Sequence, residues 1–398
     1  MINVLIFSFI TWLHPFDREE SVDFFTESEK AKTLLCGADQ IDLILKKTSG
    51  KRVAVFVNHT AVLGSKTNGT HLVDTLKRAG VNLIKIFSPE HGFRGDADAG
   101  EDVGNSIDPR SGIPIVSLYG PNKKPKPETL KDIDIVLFDM QDVGARFFTY
   151  ISSLHYLMEA CAENGKKVII LDRPNPNSEM VDGPMLQKEY KSFVGMHPIP
   201  VAHGMTLGEY AQMVNGEGWL EGGIKCELEV ITMKNWKHGD EYSVPNKPSP
   251  NLPNDHAIKL YPSTCFFEGT VLSIGRGTKN PFELAGHPDL KGIYDFHFRP
   301  ISIPGMAKTP PLENQDCYGL DMRKEPVPHR IELKYLIDAY NKFPDKKKFF
   351  ISYFEKLAGG SQLREQIIAG MSESQIRESW QVDLRRFKEI RSKYLLYS

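Results

Sequence analysis

Glu90 is the side chain in this sequence best placed to hand over a proton. It sits in Ser88-Pro-Glu-His-Gly-Phe-Arg-Gly95, directly after an apolar run at 83–87. Burial beside such a run raises a carboxyl pKa toward the neutral range that a general acid needs. The competing reading is a surface carboxylate paired with Arg94, because structural ion pairs mimic sites. Acid-assisted cleavage of a glycosidic bond usually needs a second carboxylate, about 5–5.5 Å away for retention of configuration or roughly 6.5–9.5 Å for inversion. Asp139, Asp142 and Glu268 are the candidates for it.

Polar residues recur wherever an apolar run ends. Asn58-His59-Thr60 follows the first run, His91 and Arg94 the second, Tyr119-Gly120 the third; Asp139, Gln141, Asp142 and Arg146 follow the fourth, and Asp172, Arg173 and Asn175 the fifth. Singly, each has a bland reading: Asp139 and Asp172 as N-caps or Asx turns, Pro174 and Pro176 as fixers of a turn. Together they offer the many hydrogen-bonding groups that a sugar requires. His203 precedes Thr206-x-x-Glu209, a capping box that makes Glu209 structural and leaves the histidine freer to face a ligand. Arg276, held between Gly275 and Gly277 with Thr278 beyond, suits a ligand carboxylate or, alternatively, braces a domain interface.

The elements that must position these groups are legible as pattern. Runs at 52–57, 83–87, 114–118, 135–138 and 167–171 read as strands buried on both faces, and 70–79, 128–132 and 149–163 have helical spacing. That alternation predicts an α/β fold with a Rossmann-like, mostly parallel sheet and helices on both faces, whose strand ends share one ligand-binding edge. Residues 225–233 read as a strand, 244–253 with four prolines as a connection, and the chain to about 328 as short strands and long loops. The segments 331–342 and 376–397 are helical, with Leu384, Phe387 and Ile390 on one face. The expected organisation is an N-terminal segment 1–35, a catalytic domain 36–222, and a smaller α+β or β-barrel-like domain 223–398.

Composition narrows the function. The 398 residues carry a formal charge of −2 with no basic block, which disfavours a nucleic-acid partner. Cys36, Cys161, Cys226, Cys265 and Cys317 are scattered, and the histidines lack the i, i+4 pairing of a zinc helix, so neither a disulfide framework nor a metal site is expected. No Gly-x-Gly-x-x-Gly follows the first run, so no nucleotide cofactor is expected, and no Gly-x-Ser-x-Gly elbow supports an esterase. No apolar run reaches the ~20 residues of a membrane span. The stretch 2–13 has the length of an export-signal core without its basic leader, and reads either as an atypical signal or as a first folded element.

Asn58-His-Thr, Ser88-Pro-Glu-His-Gly-Phe-Arg-Gly95, Asp139-x-Gln-Asp-x-Gly-x-Arg146, Asp172-Arg-Pro-Asn-Pro176, Tyr261-Pro-Ser, Glu268-Gly, Gly275-Arg-Gly-Thr278 with Pro281-Phe-Glu283, and Arg391-x-Lys-Tyr-Leu-Leu-Tyr397 resemble the exo-β-N-acetylmuramidase family of bacterial glycoside hydrolases. The match spans about 36–397. The resemblance implies a Rossmann-like catalytic domain without nucleotide, a β-barrel-like partner domain, and a site between them. It further implies release of N-acetylmuramic acid from the non-reducing end of peptidoglycan fragments, with Glu90 as leading catalytic residue and Glu268 as second carboxylate, or the substrate's 2-acetamido group in place of a protein nucleophile. A periplasmic or secreted location is expected, with the cytoplasm as alternative. Because that sugar carries a lactyl carboxylate, a cation is expected at it, from among Arg94, Arg146, Arg173 and Arg276. The competing functions are a non-catalytic muropeptide-binding protein using the same cleft and a nucleotide-dependent transferase.

Overall fold

Period-2 burial on both sides accounts for the apolar runs. In the computed structural model, which describes residues 33–64, 69–89, 93–94 and 106–398, the strands in chain order are β1 (Val53–Val57), β2 (Leu83–Ser88), β3 (Ser106–Ile107), β4 (Pro114–Ser117), β5 (Ile135–Asp139), β6 (Lys167–Leu171), β7 (Val181–Met185), β8 (Pro200–His203), β9 (Leu228–Ile231), β10 (Leu284–His287), β11 (His297–Phe298) and β12 (Cys317–Asp321). Ala54, Phe56, Val136, Phe138, Val168 and Ile170 point to one face, against the helices Tyr150–Glu163 and Leu207–Gly216. Val53, Val55, Val57, Ile135, Leu137, Ile169 and Leu171 point to the other, against Ile44, Leu72 and Leu76 of the helices Ile41–Thr48 and Leu72–Arg78. Successive side chains of a strand face opposite ways, so a sheet wrapped by helices must be apolar at every position.

The main sheet has the order β3-β4-β2-β1-β5-β6-β9; all its pairings are parallel except β3 with β4. Chain order runs outward from β1 to β2 and β4, then resumes at β5 on the other side of β1. The crevice beyond β1 and β5 is therefore the switch point where open α/β sheets bind ligands. Strands β7 and β8 form an antiparallel hairpin, and the C-terminal region adds the antiparallel sheet β10-β12-β11 among helices.

Two elements depart from expectation. Strand β7 has Gly183-Pro184 in its middle, which breaks the strand signature; it survives at a sheet edge, where a missing N–H is tolerated. The helix Asp255–Thr264 lies in a stretch read as loops, and contains Pro262. Asn254 caps it, accepting from the Ala257 N–H at 2.8 Å. The Ile258 carbonyl, which the missing N–H of Pro262 leaves without its helical donor, accepts instead from Asn177 Nδ2 at 3.2 Å. The C-terminal helix Glu373–Ser392 buries Leu384 and Phe387, and the tail returns to the first sheet: Tyr397 donates to Asp172 Oδ2 at 2.6 Å.

Candidate active site

The polar loops at the carboxyl ends of β1, β5 and β6 do converge, but largely on one another. Asp139 and Arg173 form a buried two-pronged ion pair, Nε to Oδ1 at 2.5 Å and Nη2 to Oδ2 at 2.9 Å, and the same Nη2 also donates to the Val62 carbonyl. Asn58 Oδ1 accepts from the Thr60 hydroxyl and N–H, while its Nδ2 donates to the Tyr150 hydroxyl at 2.7 Å. Gln141 Nε2 donates to the carbonyls of Asp142 and Pro174, and its Oε1 accepts from Tyr242. Asp172 accepts from Thr206, Gly208 and Tyr397; burial pushes its pKa up to about 6 against those donors, which pull it down. Asn175 bridges Met205 and Asn177, so close to Gly144 that a Cβ there would stand 2.2 Å from its Oδ1. At Gly144, φ is 74°, and glycine meets both demands.

Several expected ligand contacts are thereby committed elsewhere. Arg94 pairs with Asp108 at 2.9 Å and with Asp74 at 3.3 Å. Arg146 is wholly buried with no carboxylate paired to it among the described residues: Nη1 donates to the Pro184 and Ile199 carbonyls and Nη2 to that of Leu357, and burial pulls its pKa down to about 9. His203 is fully buried, accepts from the Met205 N–H, and is held neutral by burial, which lowers its pKa to about 3. Asp142 accepts from the Gly144 N–H at 2.7 Å, and burial raises its pKa to about 7 against the pull of the Gly144 and Val143 N–H groups. The hydroxyl of Thr278 closes its own turn on the Gly275 carbonyl. Glu90 and His91 lie outside the described residues, as does 1–32 with its export-signal reading.

Beside this network opens a cavity of about 520 Å³. Tyr119 and Gly120, after β4, form one wall, and Phe147, Phe148, Thr149 and Tyr150, after β5, form the floor. Phe193 and Ser249 come from connecting segments; Tyr261, Glu268 and Arg276 come from the C-terminal half, with Tyr353 and Lys356 closing the far side. Glu268 Oε1 accepts from Arg276 Nε at 2.6 Å, and the guanidinium lies over the Phe282 ring, 5.1 Å from its centroid. A second cavity of about 500 Å³ shares Glu268, Arg276 and Tyr353 with the first. Aromatic faces, hydroxyls and one carboxylate at a sheet's carboxyl edge suit a pyranose, whose C–H faces stack and whose hydroxyls need partners. Among the described residues no cluster of three His, Cys, Asp or Glu could hold a metal, and no helix is long and apolar enough to cross a membrane.

Comparison with known proteins decides the family. The family models described as exo-beta-N-acetylmuramidase NamZ, N-terminal and C-terminal, match residues 53–256 and 259–397. The chain belongs to the NamZ family of glycosidases. The peptidoglycan beta-N-acetylmuramidase NamZ of Bacillus subtilis (strain 168) is 38% identical across 98% of this chain and 99% of its own. Crystal structures of two DUF1343 family proteins from Bacteroides fragilis NCTC 9343 superpose with TM-scores of 0.83 and 0.78, at 46% and 29% identity. Each covers 92% of this chain and 99% of the solved one.

Within this NamZ-family fold, the structure brings Tyr119, Glu268 and Arg276 to one cavity and leaves Asn58 behind it, as the support of Tyr150. Sequence reasoning missed Lys123, Phe148, Phe193, Tyr353 and Lys356. The run Phe147-Phe148-Thr149-Tyr150 at a strand exit was a usable signal for a sugar platform. Tyr353 and Lys356 had none, since only tertiary packing carries them to the sheet edge.

Proposed function

We propose that the protein removes the terminal N-acetylmuramic acid from the non-reducing ends of peptidoglycan fragments, with Glu90 as general acid. The observation that carries this reading is the cavity at the β4 and β5 exits, where aromatic side chains face the Glu268–Arg276 pair. Ser88, which ends β2 and precedes Glu90 by two residues in the sequence, pairs with Ser117 of β4, which precedes Tyr119 by two. The peptidoglycan named for the Bacillus relative supplies the substrate class. Glu268 is the carboxylate suited to stabilise positive charge developing at the anomeric carbon, with the substrate's 2-acetamido group as the alternative second participant. That substrate supports work in the periplasm or outside the cell; recovery of the native protein solely with cytosol would contradict that.

Incubation with glycan chains bearing N-acetylmuramic acid at the non-reducing end tests the mode of action. The expected product is that monosaccharide alone, one per chain, because the next unit is N-acetylglucosamine. Internal fragments contradict the exo mode, and absence of any release favours a glycan-binding protein.

A further inference from the structure

Among the described residues three cations line the cavity, and two are already engaged. Arg276 is paired with Glu268 at 2.6 Å. Lys123 donates to the Gly120 carbonyl at 2.7 Å and lies over the Phe193 ring, 5.0 Å from its centroid. The third, Lys356, is exposed at the rim, and its ammonium has no ion-pair partner among the described residues. With Glu268 as the single carboxylate among the described lining residues, that described lining carries a net positive charge, which suits an anionic ligand.

The backbone beneath Lys356 is firmly held. Its helix, Phe354–Ala358, ends at Gly359 in the left-handed region with φ 83°. The last-turn carbonyl of Leu357 accepts from the buried Arg146 at 2.8 Å, which also grips the β7–β8 hairpin through Pro184 and Ile199. A guanidinium at a helix C-terminus satisfies orphan carbonyls and complements the helix dipole. Any Cβ at position 359 would stand 2.7 Å from Arg146 Nη2, so the joint is tight. Gln187 adds a further tie, its N–H donating to the Gly359 carbonyl at 2.8 Å. The backbone mount is fixed, so the ordering cost left to binding is that of the lysine side chain alone.

We propose that Lys356 reads the lactyl carboxylate of N-acetylmuramic acid and thereby sets the preference for this sugar over N-acetylglucosamine. The assignment rests on the muramidase reading and deepens it. The four arginines expected for this task are either locked into other contacts or, for Arg276, balanced by Glu268.

The test crosses the charge on the ligand with the charge on the residue. A chromogenic N-acetylmuraminide and its lactyl methyl ester, nearly equal in shape but differing in charge, are compared on wild type, Lys356→Met and Lys356→Arg. Wild type should favour the acid over the ester by about 10-fold in kcat/KM, the scale of one charge-assisted contact, with the gap narrowing at high salt. Lys356→Met should treat acid and ester alike with an unchanged melting temperature, and Lys356→Arg should restore the gap. If Lys356→Met keeps the wild-type gap, or if Lys123→Met abolishes it instead, the assignment fails while the muramidase reading stands. If wild type cleaves neither glycoside, both fail together.

Discussion

Replacing Asp139 by Asn strips the buried Arg173 guanidinium of its countercharge while leaving one acceptor in place. Both side chains are shielded, Asp139 at 0% exposure and Arg173 at 4%, so solvent cannot compensate. Breaking one side of a buried pair costs about 3–5 kcal/mol, much of it the penalty of the stranded charge. With an unfolding entropy of roughly 2.1 cal/mol/K per residue, a chain of this length should lose about 4–6 °C in melting temperature. Differential scanning calorimetry on wild type, Asp139→Asn, Arg173→Met and the double variant Asp139→Leu/Arg173→Met reads the effect. The double variant, which removes both charges, should recover most of the loss suffered by either single change. An Asp139→Asn protein with unchanged melting temperature but weakened substrate binding would refute the reasoning, because the pair would then serve the ligand rather than the sheet.

Three further outcomes are expected. Folded Asp142 keeps its proton up to about pH 7, whereas the unfolded carboxyl releases it near 4, so its contribution to stability is present in acid and lost as pH rises through that window. Asp142→Asn should therefore gain on wild type between about pH 4 and 7, by up to about 4 kcal/mol; parallel stability–pH curves contradict this. Arg146→Met strands three carbonyls and loosens the Phe354–Ala358 helix, so it should lower stability by about 2–4 kcal/mol and raise KM, with Arg146→Lys intermediate; an unchanged KM would mean the helix holds its place unaided. Asn58→Ala removes the donor to Tyr150 and should cost about 1–3 kcal/mol, read as a lower urea midpoint; no shift would show that Tyr150 needs no such support.

The central strands were legible because a sheet covered by helices leaves no polar position in the interior of β1, β5 or β6, and runs of four or five apolar, largely β-branched or aromatic residues between turn signals are too short for a helix. The Thr206–Glu209 capping box was legible because it is local: both of its hydrogen bonds form within four residues. The helix Asp255–Thr264 was not, since Pro262 argues against it and its compensation comes from Asn177, far away in the chain. The exits of β1, β5 and β6 posed the deeper difficulty. Asp139, Gln141, Asp172 and Arg173 have the same hydrogen-bonding capacity whether they face a sugar or each other, and only coordinates show which of the two they face. Lys356 stands at the opposite extreme: nothing local distinguishes it from the lysines around it until packing brings its helix to the cavity.

Proton donation by Glu90 to the departing oxygen is the central claim, and leaving-group dependence in Glu90→Gln tests it most directly. A general acid contributes about 10²- to 10⁴-fold where the leaving group needs a proton and little where it does not. On a disaccharide of N-acetylmuramic acid and N-acetylglucosamine, Glu90→Gln should lose activity on that scale, while on an activated dinitrophenyl N-acetylmuraminide the glycosidic bond should still break at near wild-type rate. Equal losses on both substrates, or no loss on the disaccharide, would contradict the account.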